Sequence, residues 1–206
     1  MINNYGELQA AIASWLKRSE LVNDIPGFIS LAEDRFNRVI RTTEMETRSQ
    51  ANAGGEYIQV PDDFLQVRAI RFMGNINRLL RYYSPAELTA FKASGQTGNP
   101  TAYTVEDRQF KLFPAPTSSA TAALEIDYLA KIPALSDTNT TNWLLTDHSD
   151  IYLFGSLVNA ESFLYNDARI PLWQARLDQA ISELTIQEGK ARVGAAALMP
   201  TVRNIV

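Results

Sequence analysis

The sequence predicts an α+β fold: terminal antiparallel helices forming a helical bundle, a small antiparallel β lobe inserted between them, and an extended C-terminal tail. Three observations predict it. Apolar residues recur at helical spacing near the N-terminus and again in the last third. Between these regions the period moves toward two. The final residues stay apolar but lose any period. The expected boundaries are 1–44 and 143–191 for the helical part, 45–142 for the β-rich lobe, and 192–206 for the tail.

The first helix is carried by Tyr5, Leu8, Ala11, Ile12, Trp15 and Leu16, an i, i+3, i+4, i+7 stripe. A second stripe runs through Phe28, Leu31, Ala32, Phe36, Val39 and Ile40, with Asp24 as N-cap and Pro26 in the first turn, where a missing N–H costs little. The short link between the two makes them antiparallel neighbours.

Strand candidates follow at Tyr57–Val60, Leu65–Phe72, Leu79–Tyr83, Ala102–Val105, Gln109–Phe113 and Ala123–Ala130. Pro61-Asp62-Asp63 separates the first two, and Glu106-Asp107-Arg108 turns the chain between the fourth and fifth. Ser84-Pro85-Ala86-Glu87 reads as a capping box opening a helix that ends near Gly95. A helix beginning near Thr146 carries Ile151, Phe154, Leu157, Val158 and Leu164, and another after Pro171 carries Trp173, Leu177, Ala180, Ile181 and Leu184. Beyond Glu188 two glycines and Pro200 argue against continued helix, yet Leu198, Met199, Val202, Ile205 and Val206 remain apolar. Such a tail is expected to find a partner surface.

Composition narrows the function. With 46 % hydrophobic and 20 % charged residues, the chain has the balance of a folded protein. A cysteine count of 0 excludes disulfides, thiol nucleophiles and cysteine-held clusters. No apolar run is long enough to span a bilayer and none opens the chain as a secretory signal would, so a soluble protein with no membrane role is expected. A net charge of −4, from 19 basic and 23 acidic side chains, is not that of a nucleic-acid binder.

Catalytic candidates are few. His148 is the only histidine, and its setting, Thr146-Asp147-His148-Ser149-Asp150, is also what a helix N-terminus prefers. The pairs Asp62-Asp63 and Glu106-Asp107 sit in turns. No phosphate-binding glycine loop and no nucleophile elbow is present. The expectation is a protein that is not an enzyme, with no catalytic residue, no metal and no cofactor. Arg35, Arg38 and Arg41 form a ridge beside Glu33 on the second helix, read as candidates for ion pairing within the fold or for contact between subunits rather than with DNA. Tyr82, Tyr83 and Tyr103 support an alternative, a non-catalytic carbohydrate- or ligand-binding module.

In order and spacing, several of these segments resemble the head-to-tail adaptor (connector) family of tailed bacteriophages. They are the helix Leu8–Leu16, Phe28-Ile29-Ser30-Leu31-Ala32-Glu33 leading to Arg38 and Arg41, Val60-Pro61-Asp62-Asp63-Phe64-Leu65, Ile151-Tyr152-Leu153-Phe154-Gly155, and Trp173-Gln174-Ala175-Arg176-Leu177. The resemblance implies a virion structural protein, made in the host cytoplasm and placed in the neck between head and tail. It implies a homo-oligomeric ring, twelvefold, beneath the portal protein and in contact with tail proteins. DNA would pass its channel without sequence-specific binding. It also makes the C-terminal segment the portal-binding element, with Arg192, Leu198, Met199, Val202, Arg203 and Ile205 as its side chains.

Overall fold

The structure, a computed structural model, describes residues 2–73, 77–91, 97–116, 123–165 and 168–196. Its helices are α1 (Tyr5–Leu16), α2 (Ile25–Val39), α3 (Pro85–Phe91), α4 (Trp143–Asp147), α5 (Ser149–Phe163) and α6 (Ile170–Ala196). Its strands are β1 (Glu46–Asn52), β2 (Tyr57–Gln59), β3 (Phe64–Met73), β4 (Arg78–Leu79), β5 (Arg81–Tyr82), β6 (Ala102–Glu106), β7 (Gln109–Phe113) and β8 (Ala123–Ala130). The chain divides into two units, one of residues 1–44 with 132–206 and one of residues 45–131.

In the first unit α5 is the centre. It buries Ile151, Tyr152, Leu153, Gly155, Ser156, Leu157, Ala160 and Glu161, residues that go around the helix rather than along one stripe. A helix buried on most sides must be covered on most sides, and α1, α2, α4 and α6 all pack on it. α1 turns the expected stripe inward through Tyr5, Leu8, Ile12 and Leu16, and Asn4 caps it by accepting the Glu7 N–H at 2.9 Å. α2 is rotated from the expected face: Ile29 is buried, while Leu31 is 56 % and Val39 52 % exposed. Asp24 holds the N-cap position of α2 without a side-chain bond, and Pro26 lies in the first turn.

Residues 132–142 belong to this unit, and α2 holds them. Asn37 accepts the Ile132 N–H at 2.8 Å, and Glu33, one helical turn earlier, accepts the Leu135 N–H at 2.8 Å. The helix expected near Thr146 starts earlier. Asn142 caps α4 by accepting the Leu145 N–H at 2.8 Å, and the helix breaks at His148 before α5 begins.

The second unit contains two four-stranded sheets, ordered β1-β8-β3-β4 and β2-β7-β6-β5. They share one core, which includes Ile58, Ile70, Phe72, Leu80, Tyr103, Phe110, Leu112, Leu124, Ile126 and Tyr128. Phe64 bridges the sheets, its ring 5.5 Å from Phe110 and 5.8 Å from Tyr128. The capping box stands as read: Ser84 N–H donates to Glu87 at 2.9 Å, and Glu87 N–H to Ser84 Oγ at 3.4 Å.

The β6–β7 hairpin turns on two residues, Asp107 (φ 46°) and Arg108 (φ 56°), the left-handed pair that matches strand twist. That backbone costs an L residue about 1–2 kcal/mol, partly offset in glycine by its freer unfolded chain. Arg108→Gly is therefore expected to raise stability by about 0.5 kcal/mol, seen as a higher urea midpoint at unchanged slope. The Arg108 carbonyl that accepts the Val60 N–H at 3.1 Å is kept.

The α+β class holds, but the expected architecture is corrected. The inserted region is not a small antiparallel lobe: it has two sheets, and β5 pairs with β6 in parallel. The helices are not two terminal pairs in a bundle but a set packed on α5. Nor does an extended tail begin at 192, because α6 continues to Ala196. Glycine in a helix costs only about 1 kcal/mol relative to alanine. The alanines at 191, 195 and 196 lie beside Gly189 and Gly194, so those glycines weaken the helix without stopping it.

Candidate interaction surfaces

The four subunit-contact candidates, three on α2 and Arg41 just past its end, do not share a role. Glu33 points inward. Its Oε1 accepts both the Leu135 N–H and the Tyr152 hydroxyl, the latter at 3.1 Å. Tyr152 in turn accepts from Asn142 Nδ2 at 2.7 Å, and the same amide donates to the Pro133 carbonyl at 2.7 Å. Burial raises the Glu33 carboxyl above its ordinary range, with nearby Asp34 adding to the effect, against the two hydrogen bonds that lower it. Burial likewise pushes the Tyr152 hydroxyl up.

Arg35 reaches α6, donating to Gln174 at 2.8 Å and to Asp178 at 3.1 Å. Arg41, just past the end of α2, donates to the carbonyls of Asn37 and Ile40 at the helix C-terminus, where a cation complements the dipole. Arg38 is exposed and has no partner among the described residues. With Leu31 and Val39 it forms the outward stripe of α2, which sequence reasoning missed by placing both apolar residues in the core.

A second half-exposed surface in the same unit is aromatic. Trp15, 46 % exposed, lies 6.2 Å from Phe154 and 5.4 Å from Trp173, and Phe154 stacks on Trp173 at 6.1 Å. The helical stripes had marked all three as core.

Of the portal-binding candidates, Arg192 lies on α6, and its side chain is outside the described residues; Leu198, Met199, Val202, Arg203 and Ile205 lie wholly outside them. His148 joins α4 to α5 through its backbone and makes no side-chain cap. Among the described residues no group of three His, Asp or Glu is placed to hold a metal ion. Asp63 accepts the Tyr128 hydroxyl at 2.9 Å, and Glu106 pairs with Lys111 at 3.1 Å, so one carboxylate of each pair has a structural partner. Of the tyrosines read as sugar platforms, Tyr103 is buried against Tyr82 and Phe110, leaving Tyr82 as the exposed ring.

The outer face of the first sheet is a charge ladder. Arg48 and Arg71 both pair with Glu125 and Asp127 across β1, β8 and β3. Burial acts to raise the Asp127 carboxyl, but the two arginines outweigh it and hold it below the usual carboxylate range.

The side chains described hold the fold or form surfaces, and the class defined is an α+β protein of two compact units. The family model described as SU10 adaptor protein matches residues 3–202. The chain belongs to that family, in agreement with the phage head-to-tail adaptor resemblance in its sequence. No curated protein matches the chain. Membership makes it a phage structural adaptor and implies a component of the virion neck. Among the described residues no helix is long and apolar enough to cross a membrane.

Proposed function

We propose that the protein assembles as a ring, twelvefold, between portal and tail, and leaves a channel through which DNA passes without sequence-specific contact. The observation that carries this reading is the family match over residues 3–202. The net charge of −4 supports it, since a ring of acidic subunits repels the phosphate backbone. Portal contact is assigned to the C-terminal segment, through Arg192, Leu198, Met199, Val202, Arg203 and Ile205. The second unit is assigned to the tail side.

The test is light scattering of the purified protein with and without portal. Deleting residues 197–206 keeps α6 whole. It is expected to leave urea unfolding unchanged and to weaken portal binding about a hundredfold, the loss from removing two well-buried apolar anchors per subunit. Normal portal binding by the shortened chain removes the segment from the interface. Failure of the full chain to bind portal overturns the adaptor reading.

A further inference from the structure

The segment 78–82 supplies an edge strand to each sheet of the second unit. β4 pairs with β3 in the first sheet and β5 with β6 in the second, while Leu80 between them is buried. Four large side chains are left outside: Arg78, Leu79 (61 % exposed), Arg81 and Tyr82 (59 % exposed). A cleft of about 370 Å³ opens there, lined by Arg78, Leu79, Arg81, Tyr83 and Thr101. Of the other cations of this unit, Arg48 and Arg71 pair with Glu125 and Asp127, Arg68 with Glu46 and Lys111 with Glu106, while Arg108 and Lys131 stand apart without an acidic partner among the described residues. Arg78 and Arg81 have no acidic partner among the described residues.

Charge complementarity indicates the occupant. The second unit holds as many acidic as basic residues, so the whole net charge of −4 resides in the first. There, Glu20 pairs with Arg18, Asp178 with Arg35 and Glu161 with Arg169, and Glu188 accepts from Thr43. Asp147 and Asp150, on either side of the break at His148, are exposed and have no side-chain partner among the described residues; Asp24, Asp34 and Asp137 share that state but stand singly, whereas these two lie three residues apart. Asp150 suits the start of α5. Asp147 closes the short α4 and directly precedes the His148 N-cap of α5, so both carboxylates stand at the α5 N-terminus and point their charge outward from it.

We propose that the Arg78–Arg81 cleft of one copy receives the Asp147–Asp150 corner of the next, an inference that rests on the ring reading and names its contact. Two different patches meet, so the interface is heterologous and head-to-tail, the kind that closes into rings. Arginine beside exposed tyrosine is the composition of a protein-binding centre. A phosphate track needs a row of cations along its length.

The test is sedimentation velocity from micromolar to millimolar protein at low and high salt, with unfolding curves for each variant. Wild type is expected to self-associate, less so as salt rises. R78E/R81E and D147R/D150R are each expected to weaken association at least tenfold, and an equal mixture of the two to restore it. R78Q/R81Q, with no reversed charge, serves if the glutamates prevent folding, and is expected to weaken association likewise. Unchanged association in either charge-reversed protein, no rescue on mixing, or a wild type that stays monomeric throughout overturns the proposal. So does R78E/R81E associating normally while losing salt-dependent duplex binding, which would assign the cleft to DNA. Portal binding is measured on the same proteins. Portal binding by a wild type that never self-associates overturns this contact and leaves the adaptor reading standing. Association with rescue but without portal binding supports the contact and overturns the adaptor reading.

Discussion

Glu33→Ala is expected to destabilise the first unit by about 4 kcal/mol, because it leaves a buried backbone N–H without an acceptor and opens a void beside it. The donors affected are the Leu135 N–H and the Tyr152 hydroxyl, both directed at Glu33 Oε1. Tyr152 is fully buried and cannot turn to water. Glu33→Gln keeps an acceptor in place and separates the hydrogen bonds from the charge. Since burial raises the Glu33 pKa, the native state binds a proton more readily than the unfolded chain. The contribution of this group is then full below the unfolded carboxylate pKa and declines as pH rises through the raised native value. Carboxylates held low, such as Asp127, give the opposite slope, so the quantity to measure is the difference between wild type and Glu33→Gln. Urea unfolding between acid and neutral pH is expected to show the glutamine variant gaining relative to wild type as pH rises. A difference that is flat or falls with pH contradicts a raised pKa.

Gly155→Ala is expected to cost about 2 kcal/mol, although alanine is the better helix former by about 1 kcal/mol. A Cβ at this position would lie 2.6 Å from Phe36 Cζ, 2.9 Å from Phe36 Cε1 and 3.2 Å from Ala32 Cβ. Phe36 has little room to yield: it is fully buried, and its ring meets Tyr152 edge-on at 5.2 Å. Gly155→Val should cost more, with the excess measured by urea unfolding. Combining Gly155→Ala with Phe36→Leu is expected to lose less than the sum of the two changes, since the smaller side chain vacates the space the methyl needs. Simple additivity would show that the two helices move apart instead. This glycine falls inside the segment Ile151-Tyr152-Leu153-Phe154-Gly155 that carried part of the family resemblance. Its physical role there is the close approach of α5 to α2.

The sequence by itself determined what local chemistry determines. Periodicity identified α1, α2 and the body of α5 and α6, since a helix must hide its apolar stripe wherever it packs. The Ser84–Glu87 capping box and the hairpin connection at Glu106-Asp107-Arg108 were legible because their bonds close within a few residues. The adaptor family was legible too, because residue order survives in the chain whatever surrounds it. Tertiary structure alone decided the rest. β1, Glu-Thr-Arg-Ser-Gln-Ala-Asn, has no apolar alternation, and it is a strand because β8 offers it a full antiparallel register and Arg48 meets Glu125 and Asp127 across the ladder. The run Leu79–Tyr83, read as one strand, became parts of two, because buried Leu80 marks the point where the chain leaves one sheet for the other. Glu33 looked like one more charge on an exposed ridge, and only the return of residues 132–142 across α2 turned it into an interior acceptor. For β1 and Glu33 the deciding partner lies tens of residues away, and a one-dimensional pattern holds the donor and the acceptor without the fact that they meet.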